Sequence, residues 1–247
     1  MKYIKKSIEE LVKKFSKTNL LSGNMKLDKG SKDGWKTLGL QLLPYTHGGG
    51  GNLCPSATIE CANSCIFQSG NARFKGVNQA RFDRTQLFLR NRPVFLELIK
   101  GELSKLNNVA GVTKEKVAIR LNTFSDIGWE KFIDMSAYKH LQFYDYTKVP
   151  TRMSKFVEGK LPTNYHLTFS FSGENMDDCK KFLKQGANVA MVFTQIKSKL
   201  DGFKVVDGDE NDLTFEKEKG VILGLRYKNS MVKGVNEQAK ESKFVIK

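Results

Sequence analysis

A chain of 247 residues with 40% hydrophobic content and seventeen Phe is long enough to bury a core and too apolar to stay disordered. Its 41 Lys and Arg against 26 Asp and Glu leave a formal charge of +15. That surplus favours polyanionic partners, with nucleic acid or a nucleotide first among them, although scattered lysines on a solvated surface give the same balance. No stretch reaches the roughly 18 uninterrupted apolar residues of a membrane helix. The opening "MKYIKKSIEELVKKF" has neither the apolar run nor the small-residue cleavage site of a signal peptide. A cytoplasmic protein with no membrane partner and reduced thiols is expected.

In chain order, Ile8, Leu11, Val12 and Phe15 fall at helical spacing, with Ser7 as cap and Glu10 completing a capping box. A Gly-, Lys- and Asp-rich connector (23–34) leads into the apolar "TLGLQLLPY" and then "THGGGGNLCP". Residues 76–107 read as helix in two parts, broken at "NRP" (91–93), because proline disfavours the helical conformation in the residue before it. From there strands and helices alternate. "VAIRLNT" (117–123) precedes a helical "WEKFIDMSAY", and "LQFYDYT" (141–147) precedes a short helix after Pro150. "YHLTFSFS" (165–172) precedes "NMDDCKKFLKQG", with Gly186 as its C-terminal cap, and "NVAMVFT" (188–194) closes the series. This alternation means βαβ units and a parallel sheet. The later segments "FKVVDGDENDLTF" and "GVILGLRYKN" read as a C-terminal hairpin or edge pair. The implied organisation is an N-terminal helix and connector (1–36), one α/β domain (37–232) and a C-terminal tail (233–247).

Fully covered parallel strands read as continuous apolar runs, yet these alternate. Leu38, Leu40 and Leu42 oppose Thr37, Gly39 and Gln41; Val117, Ile119 and Leu121 oppose Arg120 and Asn122. Leu141 and Phe143 oppose Gln142, Tyr144 and Tyr146; Leu167, Phe169 and Phe171 oppose His166, Thr168, Ser170 and Ser172. One face lies under helices, and the other would line a polar lumen. The expected fold is therefore α/β, a partial (β/α) barrel or a strongly curved, mostly parallel sheet. "NTFSD" (122–126), "DYTK" (145–148), "SFSGEN" (170–175) and "FTQ" (193–195) fall at the carboxyl ends of the strands, the rim on which such folds build their sites. Helix capping accounts for Asp126 and Asn175 but not for Arg120, Tyr146 or His166.

Three of the four cysteines stand in "NLCPSATIECANSC", with six residues between Cys54 and Cys61 and three between Cys61 and Cys65. They sit in loop-like company beside Pro55, Ser56, Asn63 and Ser64 rather than inside an apolar run, which favours ligation over packing. Zinc would need a fourth donor, from His47 or Cys179. A four-iron cluster on three thiolates would keep one iron open. The second arrangement resembles that of radical S-adenosylmethionine (SAM) enzymes, in which three loop cysteines follow the first strand of a partial barrel. The chain departs from their usual spacing of three residues then two, lacks an aromatic before the last cysteine, and has "NTFSD" in place of the glycine-rich motif after the second strand. On this resemblance Cys54, Cys61 and Cys65 hold a [4Fe-4S] cluster, and Asn122, Ser125, Asp126, Ser170 and Glu174 contact SAM. Arg120, Tyr146, Lys148 and His166 then face a nucleotide or nucleic-acid substrate.

From about residue 37 to 232 the chain also resembles the phage and plasmid gene product 88 family. The resemblance is carried by "NLCPSATIECANSC" followed by Gly70, "ARFDRTQLFLRNRPVF", "IRLNTFSDIGWE", "FYDYTK", "YHLTFSFSGEN" and "VVDGDENDLTF...GVILGLRYK". It implies a mobile-element origin and supplies no reaction. "GGGG" (48–51) lacks the Lys-Ser/Thr of a phosphate loop and gives the cysteine loop backbone freedom instead. Arg73, Arg81 and Arg84 could clamp phosphates or form a solvated helix face. "DGDENDLTF" has a calcium-loop order of Asp207, Asp209 and Asp212 without the closing Glu, and reads as an acidic turn. Two other readings stand beside the enzyme. One is a zinc-stabilised nucleic-acid-binding replication accessory; the other is a non-catalytic phage protein that binds a small molecule or a host protein.

Overall fold

The computed structural model describes residues 3–24, 27–68, 74–228 and 242–247. Its strands are β1 (Leu21–Ser22), β2 (Trp35–Leu40), β3 (Lys116–Arg120), β4 (Leu141–Thr147), β5 (Tyr165–Ser170) and β6 (Val189–Phe193), followed by β7 (Lys199–Leu200), β8 (Phe203–Asp207), β9 (Ile222–Arg226) and β10 (Val245–Ile246). They form one curved, unclosed sheet in the order β1-β2-β3-β4-β5-β6-β9-β8-β7, with β10 paired to β6. Neighbours from β2 through β8 run parallel, and antiparallel β1 and β7 end the sheet. This is the curved, mostly parallel α/β sheet that the alternating strands imply.

The helices are α1 (Ile8–Phe15), α2 (Ile59–Asn63), α3 (Lys75–Arg90), α4 (Arg92–Thr113), α5 (Pro150–Val157) and α6 (Met176–Lys184). The capping box forms at α1, where Ser7 Oγ accepts from the Glu10 amide and Glu10 accepts from the Ser7 amide. The break at "NRP" is real, and Asn91 turns it into a cap by accepting from the Val94 amide at the start of α4. Residues 129–138 differ from the expected helix. They form two 3-10 turns, Trp129–Lys131 and Met135–Ala137, because Asp134 takes both the Ser136 amide and hydroxyl. That interruption still sends Trp129, Ile133 and Met135 into the core.

The C-terminal hairpin is β7–β8, and β9 is not its partner strand but slots in parallel between β6 and β8. The convex face carries the main core, where Phe88, Phe95, Trp129, Phe143, Phe169 and Phe182 pack with the aliphatic residues of β3 to β6. Each such side chain contributes about 1.5–3 kcal/mol by leaving water. Leu11, Phe15, Leu20 and Leu21 join the same cluster, so α1 and β1 pack into the core of the sheet. The concave face is closed at its amino-terminal end by Leu27, Tyr144, Ala118, Trp35 and Phe215. The pocket-lining residues gather toward the carboxyl ends of the strands.

Candidate functional site

At that end lies a cavity of about 190 Å³. One wall is the cysteine loop, with Tyr45, Cys54, Cys61 and Cys65. The strand ends supply Arg120, Asn122, Ser125, Asp126, Tyr146, Lys148 and Ser170. The far wall is β6, β9 and the C-terminal strand, with Ala190, Val192, Leu225, Tyr227 and Phe244.

Local chemistry explains how the loop reaches the rim. Gly49 and Gly50 take positive φ (64° and 99°), the freedom that the tetraglycine was expected to supply. Thr58 caps the short α2 by accepting from the Cys61 amide, and its hydroxyl donates to the Ser172 carbonyl at 2.7 Å, which ties the loop to the end of β5. The Asp126 amide donates to the Leu53 carbonyl at 2.8 Å, tying the same loop to "NTFSD". Cys54 Sγ accepts from the Tyr45 amide at 3.3 Å and lies 3.5 Å from the Phe124 carbonyl. Cys65 packs beside Leu43, Phe67 and Phe82. Burial pushes the Cys54 thiol up to about 11 and the Cys65 thiol up to about 12.

The strand ends are held from below. Arg120 Nη1 donates to Asp212 at 2.6 Å, and the Tyr144 and Tyr146 hydroxyls each donate to the same carboxylate at 3.2 Å. Asn122 anchors its loop: its Oδ1 accepts from Ser125 Oγ, the Ile127 amide and Trp129 Nε1, and its Nδ2 donates to Asp145. Asp126 accepts from the Lys148 amide and from Arg152 Nη1, both at 2.7 Å. Asn122, Ser125 and Asp126 therefore scaffold the rim as well as line it. Lys148 Nζ donates to Ser170 Oγ at 3.1 Å. Burial lowers the Lys148 pKa, but the Cys61, Asp126, Cys54 and Cys65 charges outweigh that and leave it raised.

A family model for gene product 88 matches residues 13–247. The chain belongs to the gene product 88 family. No curated protein and no solved structure matches it. The family match spans the whole pocket from Pro44 to Phe244. Among the described residues, no helix is long and apolar enough to cross a membrane.

Not every residue singled out in this gene product 88 sequence reaches the pocket. His166 stands at the start of β5, about 13 Å from Ser170 by strand rise, with its ring edge-on to Phe156 and its pKa lowered by burial to about 4. Glu174 is exposed beyond the rim. Cys179 is buried under α6 in the main core, so it adds no donor, whereas His47 lines the pocket. Arg81 is buried, donating to Asn78 and Gln41 and stacking 4.4 Å over Phe124. Arg84 lies over Phe15 and near Glu102. These two arginines glue α3 to its neighbours, and Arg73 lies outside the described residues. Asp207 and Asp209 of the acidic turn pair with Arg226 and Lys228.

As donors, the three cysteines suit a soft or borderline metal, and the Lys148 ammonium complements the negative charge that three thiolates bring. Their side chains surround one wall of the pocket but are not drawn together: no group of three His, Cys, Asp or Glu placed to hold a metal ion occurs among the described residues. A shared metal requires the 54–65 loop to tighten.

Asp145, Arg152 and Asp212 were not singled out as site residues from the sequence. For Asp145 a signal existed, because strand alternation puts it on the same face as Leu141 and Phe143, where a carboxylate needs partners. It accepts from the Asn122 amide, Asn122 Nδ2 and Tyr165 Oη. Burial raises its carboxyl from 3.8 to about 7 against the opposing pull of the Arg152 guanidinium. A carboxyl raised on folding holds its proton more tightly in the native chain, so it contributes stability below pH 4 that is lost as pH rises through about 7. The stability of Asp145→Asn relative to wild type should therefore rise over that window, by up to about 1.4 kcal/mol per pH unit. Urea unfolding from pH 4 to 8 measures this, and a pH-independent difference would remove Asp145 as the titrating group.

Proposed function

We propose that the rim pocket is a thiolate metal centre facing a small-ligand site, in an iron–sulfur enzyme of radical SAM type. The observation that carries this reading is that Cys54, Cys61, Cys65 and Lys148 all line one pocket at the carboxyl ends of β3, β4 and β5. Cys54, Cys61 and Cys65 would hold a four-iron cluster. Bound there, such a cluster would supply the electron for reductive chemistry on a sulfonium ligand. Asn122, Ser125, Asp126 and Ser170 would meet the polar groups of SAM. Arg120, Tyr146 and Lys148 would meet the substrate, with a nucleotide favoured by the +15 charge. The chain's own contribution is to bind, orient and exclude water: Arg152 and Asp145 lock the loop that carries Asn122 and Asp126, and Asp212 fixes Arg120 and Tyr146.

His47 supports a second reading, since it lines the same pocket and could complete a tetrahedral zinc site with the three cysteines. That site would serve a nucleic-acid-binding protein without catalysis. Anaerobic purification with iron, sulfide and zinc quantified separates the two. About four irons per chain with absorption near 400 nm is the expected result, and changing Cys54, Cys61 or Cys65 singly to Ser should remove most of it while the fold remains. One zinc without colour, lost together with the fold in those variants, would replace the enzyme by the zinc protein. Neither metal in anaerobic wild-type protein would end both readings.

A further inference from the structure

The far wall of the pocket is made partly by the C-terminal strand. Beyond Ala190, β5 leaves the edge of β6, and β10 takes its place, pairing Val245 with Val192 and Ile246 with Phe193. The Thr194 amide donates to the Ile246 carbonyl at 2.9 Å. Gly173, at φ 98°, makes room for this strand: a Cβ there would stand 3.2 Å from the Phe244 amide nitrogen. The result seats the Phe244 ring in the pocket, 8% exposed, with Lys148 Nζ 5.9 Å from its centroid.

Two features mark this seat as borrowed. Lys148 hydrogen-bonds Ser170, no carboxylate among the described residues lies within ion-pair distance of it, and the Phe244 ring stands on its open side, with Asp126 acting from farther off. The remaining cavity, about 190 Å³, is smaller than the roughly 300 Å³ or more of an ordinary small-molecule site. Departure of the Phe244 ring would widen the pocket for a ligand of nucleotide size. A strand with two register pairs, carrying one ring, is the element that can leave.

We propose that Phe244 occupies the seat of the ligand's own ring, and that β10 is an intramolecular plug displaced by a planar heterocycle bearing an anionic group, of the nucleoside monophosphate class. The ring would lie among Tyr146, Ala190, Val192, Leu225 and Tyr227, and the anion would meet Lys148 Nζ and Ser170 Oγ. Arg226 and Lys228 at the mouth are paired with Asp207 and Asp209, so Lys148 is the cation that would receive the anion. The proposal deepens the reading above, because it takes the pocket as the ligand site, but the seat does not use the thiols.

Calorimetric titration of adenosine monophosphate into full-length protein tests it, with adenosine and inorganic phosphate as partial probes. Wild type should bind the nucleotide more tightly than either fragment. Phe244→Ala should bind about fivefold or more tightly than wild type, because a plug lowers apparent affinity by the fraction of open molecules. Lys148→Met should weaken binding about tenfold. Affinity should be the same in preparations with and without bound iron, so failure of the iron–sulfur reading leaves this result standing. Weaker or unchanged binding by Phe244→Ala makes the ring a wall rather than a plug and overturns the proposal. So does absence of nucleotide binding in wild type and Phe244→Ala alike.

Discussion

Asp212→Ala should destabilise the fold by about 3–5 kcal/mol, the usual cost of removing one partner from a buried ion pair. Asp212 is 1% exposed and receives Arg120 at 2.6 Å, so the substitution leaves a buried guanidinium without its carboxylate. The Tyr144 and Tyr146 hydroxyls lose the same acceptor. The attraction of Asp212 overcomes the cost of burying Arg120 and raises the arginine's pKa further. Arg120→Met should cost a similar amount, since it strands the carboxylate. The double variant Arg120→Met/Asp212→Ala should lose less than the sum of the two single changes, because no isolated charge remains. Urea midpoints of the four proteins measure the coupling. Additive losses would mean that the two side chains act independently and that the pair does not fasten the 207–216 segment across the lumen.

Arg152→Met should cost as much and act elsewhere. Arg152 is 5% exposed, and its guanidinium reaches four side chains. Nε and Nη2 meet both Glu130 oxygens at 2.9 Å, Nη1 meets Asp126 and Thr147, and Nη2 also meets Tyr165. A loss of about 3–5 kcal/mol is expected. It should be accompanied by faster amide hydrogen exchange at Ile127 and Lys148, whose N–H groups are held by Asn122 and Asp126. Arg152→Lys should recover little, because an ammonium cannot span both Glu130 oxygens while holding Asp126. A lysine variant as stable as wild type would show that charge alone, without the fork, holds this end of the sheet.

Much of the fold is legible in particular residues. Ser7 and Glu10 announce the start of α1, Asn91 and Pro93 the joint between α3 and α4, and the alternation of Leu167, Phe169 and Phe171 the buried face of β5. The rim is legible too, because parallel strands with alternating faces must end together on one side. The failures share a cause. "WEKFIDMSAY" has helical spacing, but Asp134 takes backbone and hydroxyl donors that a helix would use. His166 and Ser170 share a face of β5, yet only the later one reaches the pocket, since alternation reports the face and not the height along the strand. Arg81 has the look of a solvated helix arginine until Gln41 and the 122–126 loop close over it.

Sequence alone determined the class of sheet, the cysteine loop after its first parallel strand, and the polar lumen, because caps, periodicity and loop composition act over a few residues. Tertiary structure decided which residues meet. Asp212 lies 92 positions from Arg120, and no periodicity can name that partner. The same holds for β9, which enters between β6 and β8, and for β10, whose two residues carry no pattern but bring Phe244 to Lys148. Such choices follow from closing the sheet and satisfying buried charge across it, and those energies exist only once the chain has folded.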